Sequence, residues 1–302
     1  MLSIIVCSRT SILTETFIKN IENTVGVVYE LICIDNSSGN YSIPQAYNQG
    51  ILKSKYQYLC FVHDDVYFSS PNWGEKVIAH LDMPQTGIIG LAGGDAALKI
   101  LYDYAAIHPS ANITHVDKKG LVPDDLIWSP DNYSEPTRSV LLLDGVFLCS
   151  KRELFNEIKY DEALSKFHGY DFDISLQSIV AGYFNYVIYD IDVSHYSRGN
   201  FNATYYKSIM CVHEKWKNYL PLFEHSISEE EQKQLIPIFE KKAINKLLKK
   251  LVRSRIKTVD IIEIYRFYAK IADSKRVNFL MLFLRLRIYS VWINSYFRKK
   301  II

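Results

Sequence analysis

The 302-residue sequence is most informative at Tyr58-Leu-Cys-Phe-Val-His-Asp-Asp-Val-Tyr-Phe68, where an apolar run ends in a histidine and two acidic residues. A run of this kind is typical of a buried strand, and open α/β sheets bind their ligands at the carboxyl ends of such strands. Asp64 and Asp65 repel each other unless a cation or hydrogen-bond donors lie between them. Oxygen ligands suit a hard divalent ion such as Mg²⁺ or Mn²⁺. The alternative is that both residues only form a turn or cap the next helix.

Alternating strand and helix patterns surround this stretch. Continuous β-rich runs at 3–8 and 30–35 predict buried strands, and helical patterns at 11–20 and 43–54 separate them. This alternation is typical of right-handed βαβ units, so we expect an α/β fold with a mostly parallel sheet. The later predictions are helices at 73–81, 152–158 and 174–181, strands at 87–94, 139–150 and 186–192, and a functional irregular loop over 95–137.

Composition is that of a globular protein, with 48% hydrophobic and 23% charged residues. The five cysteines have no CxxC spacing, and four lie in strand-like runs. We therefore expect buried thiols in a reducing compartment, without a disulfide or zinc framework. The N-terminal sequence has no signal-peptide pattern, and no segment reaches the roughly 18 uninterrupted apolar residues of a membrane-spanning helix. These features predict a cytoplasmic protein.

Positive charge is concentrated in the C-terminal region. Residues 241–302 hold 17 Lys and Arg against three acidic residues, although the net charge of the chain is only +2. Ser228 and Glu231 fit a capping box, and amphipathic helical patterns follow to the end. We predict a catalytic domain over 1–222 and a basic helical extension over 223–302.

Two interpretations of this extension stay open. Basic helices with Trp and Phe can lie on an anionic membrane, which would place the protein at the inner face of the membrane and suit a lipid-linked acceptor. The other interpretation is that the helices of 228–302 pack on the catalytic domain or in a homodimer. We expect no nucleic-acid binding, because no recognition motif accompanies the charge.

Further carboxylates follow the predicted strands or lie in the loops at the same edge of the sheet. They are Asp35, Asp144, Asp171 and Asp173, and His195 follows another strand. A single acidic strand end usually forms a turn, but several in one sheet repel each other unless a cation or ligand lies among them. The pattern favours a metal-assisted site for a phosphorylated substrate.

Seven short motifs occur in a characteristic order. They are Ser3-Ile-Ile-Val-Cys-Ser-Arg9, Leu31-Ile-Cys-Ile-Asp35-Asn-Ser-Ser, Ala46-Tyr-Asn48-Gln-Gly50, Phe61-Val-His-Asp-Asp65, Asp144-Gly-Val-Phe-Leu, Tyr170-Asp-Phe-Asp173 and His195-Tyr-Ser-Arg-Gly199. In this order, over about residues 1–215, the chain resembles the family-2-type glycosyltransferases of the GT-A fold. The resemblance implies a Rossmann-like, mostly parallel sheet flanked by helices, and a nucleotide diphosphosugar as the donor.

The resemblance also implies the donor site. Its nucleotide-sugar-binding residues would be Cys7, Ser8, Arg9, Asp35, Asn48, Asp64, Asp144 and Gly145. The loop of Cys7, Ser8 and Arg9 would line the base, and Asp144-Gly145 would lie near the donor sugar, where glycine permits close approach of the backbone. For Asn48, helix packing or capping is the alternative.

The metal site and the base are implied in the same way. His63-Asp64-Asp65 matches the Asp-x-Asp motif with histidine in the first position, so Asp65 and His195 would bind Mn²⁺ or Mg²⁺. Histidine is less suited to Mg²⁺, which brings strict metal dependence into question. Asp171 stands where the family has its base, which implies an inverting transfer. Asp173 is the second candidate for the acceptor side, and Trp128 would stack on a sugar or anchor the core.

The expected activity is inverting transfer of a sugar from a uridine diphosphosugar to a glycan or lipid-linked acceptor, as in surface polysaccharide synthesis. Two alternatives remain, a sugar-phosphate nucleotidyltransferase and a non-catalytic carbohydrate-binding protein. The first normally has a glycine-rich phosphate loop, and Ser8-Arg9-Thr10 contains no glycine.

Overall fold

The computed structural model describes residues 1–104, 107–116, 135–164, 167–197, 199 and 201–272, and the backbone of 124–128. The α-helices are α1 Glu15–Thr24, α2 Ile43–Lys53, α3 Trp73–Leu81, α4 Tyr170–Val180, α5 Ala203–Trp216, α6 Glu229–Arg253 and α7 Thr258–Ala272. A 3₁₀ helix spans Arg152–Asn156. The strands are β1 Leu2–Ser8, β2 Tyr29–Asp35, β3 Tyr58–Val62, β4 Val66–Phe68, β5 Thr86–Gly90, β6 Ala92–Gly94, β7 Ala96–Ala97, β8 Pro109–His115, β9 Asp124–Trp128, β10 Thr137–Val140, β11 Leu142–Leu143, β12 Phe147–Lys151, β13 Phe184–Ile188, β14 Val193–His195 and β15 Leu222–Phe223.

A seven-stranded sheet in the order β10-β13-β5-β12-β3-β1-β2 forms the centre of the fold. β1 runs parallel to β2 and β3, and β13 runs parallel to β5, as in the predicted α/β architecture. β12 lies antiparallel between β3 and β5, and β10 lies antiparallel to β13. The predicted fold class is confirmed, with a sheet that is mixed rather than purely parallel.

Side chains of the central strands point alternately to the two faces of this sheet. Ile4 packs with Phe17 of α1 and Trp73 of α3, whereas Ile5 packs with Tyr47 of α2 on the opposite face, beside α4. Because both faces are covered by helices, β3 is apolar along its whole length and β1 has a continuous apolar centre at Ile4, Ile5 and Val6. This is why the continuous apolar runs identified the first strands correctly.

A second, six-stranded sheet is built from segments that the sequence patterns described poorly. Its order is β11-β6-β8-β14-β4, with β9 paired to β8. The prediction of an irregular loop over 95–137 is wrong for β8 and β9. Polar residues such as Ser110 and Asn112 give β8 the composition of a loop, yet both are buried between neighbouring strands.

The expectation of free cysteines is wrong for one pair. Cys60 of β3 and Cys149 of β12 lie opposite each other in the antiparallel register and form a disulfide, with their Cα atoms 4.2 Å apart. Cys7, Cys33 and Cys211 are free thiols. The partners are separated by 89 residues, so only the return of β12 alongside β3 brings them together.

The described part of the basic extension packs on the rest of the chain. Leu247 and Leu248 of α6 and Tyr268 of α7 are buried against Leu98 and Ile100. The carboxylate of Glu240 accepts hydrogen bonds from the backbone amides of Lys99 at 2.6 Å and Ile100 at 3.0 Å.

Other predictions for this region stay predictions. A boundary near residue 222 stays a prediction, as does a membrane or homodimer contact for 228–302, and the apolar helical pattern at 279–297 lies outside the described residues. Among the helices that the structure does describe, none has the length and apolar character needed to cross a bilayer.

Candidate active site

Pairing between β14 and β4 assembles the centre of the site. In this antiparallel pair His195 lies opposite Val66, and the amide of Tyr196 donates to the carbonyl of Asp65 at 2.9 Å. On the other side of the loop, the amide of His63 donates to the carbonyl of Val146 at 3.1 Å. Backbone hydrogen bonds therefore hold both ends of His63-Asp64-Asp65 in place.

His63, Asp65 and His195 form a cluster whose possible ligand atoms all lie within 4.8 Å of one another. Nε2 of His195 lies 3.2 Å from Oδ1 of Asp65, and Nδ1 of His63 lies 3.9 Å from the same oxygen. Nδ1 of His195 is buried without a hydrogen-bond partner among the described residues. The nitrogen of His195 that faces Asp65 is Nε2, which also lies 3.0 Å from Oγ of Ser197.

The charges of the cluster suit a cation. Burial alone would raise the pKa of Asp65, but the hydrogen bond and charge of His195, together with His63, lower this pKa to about 2. Burial and the neighbouring His195 lower the pKa of His63, which favours its neutral form. An ionised carboxylate and a neutral imidazole are the forms that bind metal ions.

Two imidazoles and one carboxylate fit a transition-metal ion such as Mn²⁺ better than Mg²⁺. The sequence analysis placed Asp65 and His195 at this site and did not include His63 among the metal ligands. The structure instead brings His63 into the cluster and turns Asp64 away from it, toward Ser8. Oγ of Ser8 donates to Oδ2 of Asp64 at 2.6 Å.

Asp171 lies in the first turn of α4, which begins four residues earlier than predicted. The helix begins after Gly169, whose φ of 83° favours glycine. Oδ2 of Asp171 accepts from the amide of Gly145 at 3.1 Å, and Oδ1 accepts from the amide of Phe172 at 3.0 Å. Burial, and then the negative charge of Asp144, raise the pKa of Asp171 to about 7. The carboxyl group is therefore poised to gain or lose a proton near neutral pH.

Tyr170 connects the backbone at Gly145 to the cluster. Its hydroxyl donates to the carbonyl of Gly145 at 3.2 Å and hydrogen-bonds Nε2 of His63 at 3.2 Å. A Cβ atom at Gly145 would lie 2.2 Å from this hydroxyl, so glycine is required here by Tyr170. The sequence analysis treated Tyr170 only as the replacement of an acidic residue and missed this contact.

A cavity of about 490 Å³ joins these groups. It is lined by His63, His195, Asp144, Gly145, Tyr170 and Asp171, and also by Asp103, Tyr104, His115, Phe167, His168, Phe201, Tyr205, Lys246 and Lys250. The two lysines come from α6, in the predicted extension. Their four-residue spacing in a basic run was visible in the sequence, but nothing there indicated that they face the site.

Comparison with known proteins identifies the family. A sequence profile described as a glycosyltransferase-like family matches residues 3–235. The chain belongs to this glycosyltransferase-like family. The search of curated proteins found no match.

One solved structure supports the fold. The present chain is similar to a structure of GalNAc-T7 with UDP, GalNAc and Mn²⁺. The identity is 14% and the TM-score is 0.51 over 71% of the present chain. The match covers 48% of GalNAc-T7, so the chain spans about half of that protein's length. A197 from STIV has 15% identity and a TM-score of 0.39, over 65% of the present chain and 86% of A197. The GT-A fold implied by the sequence motifs is confirmed.

The residues that the resemblance assigns to nucleotide binding lie at the carboxyl ends of β1, β2 and β3. Ser8 pairs with Asp35 in the parallel register. Arg9 and Asp35 are exposed, and a backbone hydrogen bond from Ser37 lowers the pKa of Asp35. Burial raises the pKa of the Cys7 thiol to about 11, which keeps it protonated. These side chains lie at one edge of the sheet, as predicted for parallel strands.

Asn48 and Asp173 contact other parts of the protein instead of lining the cavity, and Trp128 is described only in its backbone. Nδ2 of Asn48 donates to the carbonyl of Tyr160 at 2.9 Å, which fits the packing alternative. Asp173 is 1% exposed and contacts Lys215 and Trp216, each at 2.8 Å, so this placement does not support an acceptor-side role. The backbone of Trp128 lies in β9, and its side chain is outside the described residues.

Substitutions in the cluster should affect metal binding selectively. We expect His195→Ala and Asp65→Asn each to weaken Mn²⁺ binding by about tenfold or more, because each removes one of three ligands. Asp64→Asn is the matched control, since this neighbour bonds Ser8 instead, and it should leave Mn²⁺ affinity within about twofold. Titration of free Mn²⁺ by electron paramagnetic resonance measures all three. Equal losses for Asp64→Asn and Asp65→Asn would contradict the assignment.

Proposed function

We propose that this chain transfers a sugar from a uridine diphosphosugar to a hydroxyl group of a glycan or lipid-linked acceptor, with inversion at the anomeric carbon. The observation that carries the proposal is the position of Asp171. A carboxyl group with a raised pKa lines the same cavity as His63 and His195, two of the three candidate metal ligands. Membership of a glycosyltransferase-like family supports glycosyl transfer as the reaction class.

The donor side of the proposal uses both the strand ends and the cluster. Ser8, Asp35 and Asp64 would bind the uridine and ribose at the edge formed by β1, β2 and β3. His63, Asp65 and His195 would hold a divalent ion, which supplies positive charge to the diphosphate as the sugar leaves. The presence of UDP and Mn²⁺ in the GalNAc-T7 structure supports this choice of nucleotide and metal.

The acceptor side uses Asp171 as the base. In a single displacement the acceptor oxygen bonds to the anomeric carbon, the bond to the diphosphate breaks, and the hydroxyl proton passes to Asp171. Amide donors at Gly145 and Phe172 orient the carboxylate. A base is most effective when its pKa lies near the working pH, and the value of about 7 for Asp171 meets this condition.

Asp173 is not assigned this role. Its Oδ2 accepts from Nε2 of Gln177 at 2.7 Å, while Oδ1 contacts Lys215 and Trp216. This carboxylate is buried, contacts three donors, holds α5 against α4 and does not line the cavity. Of these two candidates, Asp171 is therefore the proposed base.

Replacement of the base should abolish turnover and spare donor binding. We expect Asp171→Asn to lower the release of UDP from the preferred uridine diphosphosugar by about a hundredfold or more in the presence of Mn²⁺. Asparagine keeps an acceptor for one of the two amides that bond Asp171, and Asp171 is not among the proposed ligands of UDP or the metal, so calorimetry should give a UDP–Mn²⁺ affinity within about twofold of the wild-type value. Turnover at the wild-type rate would contradict the assignment of the base.

The rate should depend on pH through the same carboxyl group. Because only ionised Asp171 accepts a proton, kcat/KM should rise about tenfold per pH unit below pH 7 and level off above it. Asp144→Asn removes the negative charge that helps to raise this pKa, so the acidic limb should move to lower pH. An acidic limb unchanged by Asp144→Asn would contradict the coupling between the two carboxyl groups.

A further inference from the structure

One wall of the cavity is formed by lysines that lie outside the residues matched by the family profile. Lys246 and Lys250 are here called the cationic wall. That match ends at residue 235, whereas α6 continues to Arg253 and brings Lys246 and Lys250 to the cavity that contains Asp171. Residues four apart lie on the same face of a helix, so the two ammonium groups belong to one surface. Neither lysine has a role in the activity proposed above.

The surroundings of the two lysines differ. Nζ of Lys250 lies 2.8 Å from Oδ2 of Asp103, and it also lies 4.6 Å from the ring centroid of Phe201. These contacts hold Lys250 at the wall of the cavity. Lys246 is exposed and makes no hydrogen bond or ion pair to any residue that the structure describes. One turn of α6 therefore presents a fixed cation next to a cation without a counter-ion.

Burial of the opposite face of α6 fixes the position of this wall. Leu247, Leu248 and Leu251 are at most 3% exposed, and they pack against the segment that contains Tyr102. The hydrogen bonds of Glu240 to the backbone of 99–100 hold the preceding turns of the helix. The lysines thus project from a rigid element, as specificity-determining residues generally do.

The wall lines the same cavity as Asp171, the proposed base. Ser8, Asp35 and Asp64 of the proposed nucleotide side do not line this cavity. Phe167 and Phe201 line it too and remain 42% and 46% exposed, so their rings are open to a sugar face. An acceptor bound here would meet aromatic rings and two ammonium groups together.

We infer that Lys246 and Lys250 bind a phosphate group on the acceptor, so that the enzyme selects a phosphorylated sugar over its neutral counterpart. The inference rests on the proposed function, because it assigns the acceptor of that reaction. Lysine is a common ligand of phosphate, and charge-assisted hydrogen bonds are about twice as strong as neutral ones. The phosphate belongs to a free sugar phosphate or to the headgroup of a lipid-linked sugar, which share this chemistry.

The test compares N-acetylglucosamine 1-phosphate with N-acetylglucosamine, in calorimetric titrations of the full chain with saturating UDP and Mn²⁺. We expect wild-type protein to bind the phosphorylated sugar about tenfold or more tightly than the neutral one. Lys246→Ala and Lys250→Ala should each remove most of this preference. Lys249→Ala is the matched control, because Lys249 is exposed on the same helix and does not line the cavity.

Asp103→Asn provides a test in the opposite direction. The substitution removes the negative charge beside Lys250 and keeps a hydrogen-bond acceptor at this position. Binding of N-acetylglucosamine 1-phosphate should tighten about threefold, with unchanged affinity for N-acetylglucosamine. A gain of affinity cannot arise from misfolding. Unchanged or weaker binding of the phosphorylated sugar would contradict the inference.

Farnesyl diphosphate-linked N-acetylglucosamine separates the two sources of the phosphate. Tighter binding than the 1-phosphate indicates a lipid headgroup, and equal binding indicates a soluble sugar phosphate; both agree with the inference if they require Lys246 and Lys250.

The inference would be overturned if wild-type protein showed no preference for the phosphorylated sugar, or if Lys249→Ala reduced that preference as much as Lys246→Ala and Lys250→Ala do. Weaker UDP binding in the Lys246 and Lys250 variants would also overturn it, because that result would assign the lysines to the donor. Failure of wild-type protein to bind UDP with Mn²⁺ would instead contradict the proposed function.

Discussion

The antiparallel pairing of β14 with β4 is the contact on which the site depends. It places His195 opposite Val66, directly after Asp65, while β14 also pairs in parallel with β8 on its other side. His63 enters from the central sheet, held by its backbone bond to Val146. The cluster thus lies where the two sheets meet, and each member is positioned by backbone hydrogen bonds before any ion binds. Such prior positioning lowers the cost of ordering ligands around a metal.

The second constraint is the burial of a carboxyl group at the start of α4. Burial raises the free energy of the charged form of Asp171, whereas the amides of Gly145 and Phe172 stabilise it. The balance leaves its pKa near neutrality. Tyr170 connects the surroundings of Asp171 to the cluster of candidate metal ligands, because its hydroxyl contacts both Gly145 and His63. Gly145 makes room for that hydroxyl, so one close contact connects both halves of the site.

Local patterns in the sequence predicted the strands covered on both faces, because continuous apolar runs mark them without reference to the rest of the chain. The bounds of β3 and α3 agree with the prediction. Contacts between distant segments could not be predicted in this way. The sequence indicated Asp173 as a second acidic site residue, but its carboxylate contacts Lys215 and Trp216, which lie some 40 positions later in the chain. His63 looked like a weak ligand until the pairing of β14 brought His195 beside it, and the pairing of Cys60 with Cys149 depends on β12.

Anomalous diffraction from crystals soaked with UDP and Mn²⁺ tests the central claim most directly. The claim is that His63, Asp65 and His195 together form the metal site of a nucleotide-sugar transferase. We expect one manganese peak bonded to all three side chains and to oxygens of the diphosphate, with Asp171 across the cavity. Bound UDP with manganese held by other residues, or with none near His63 and His195, would contradict the account.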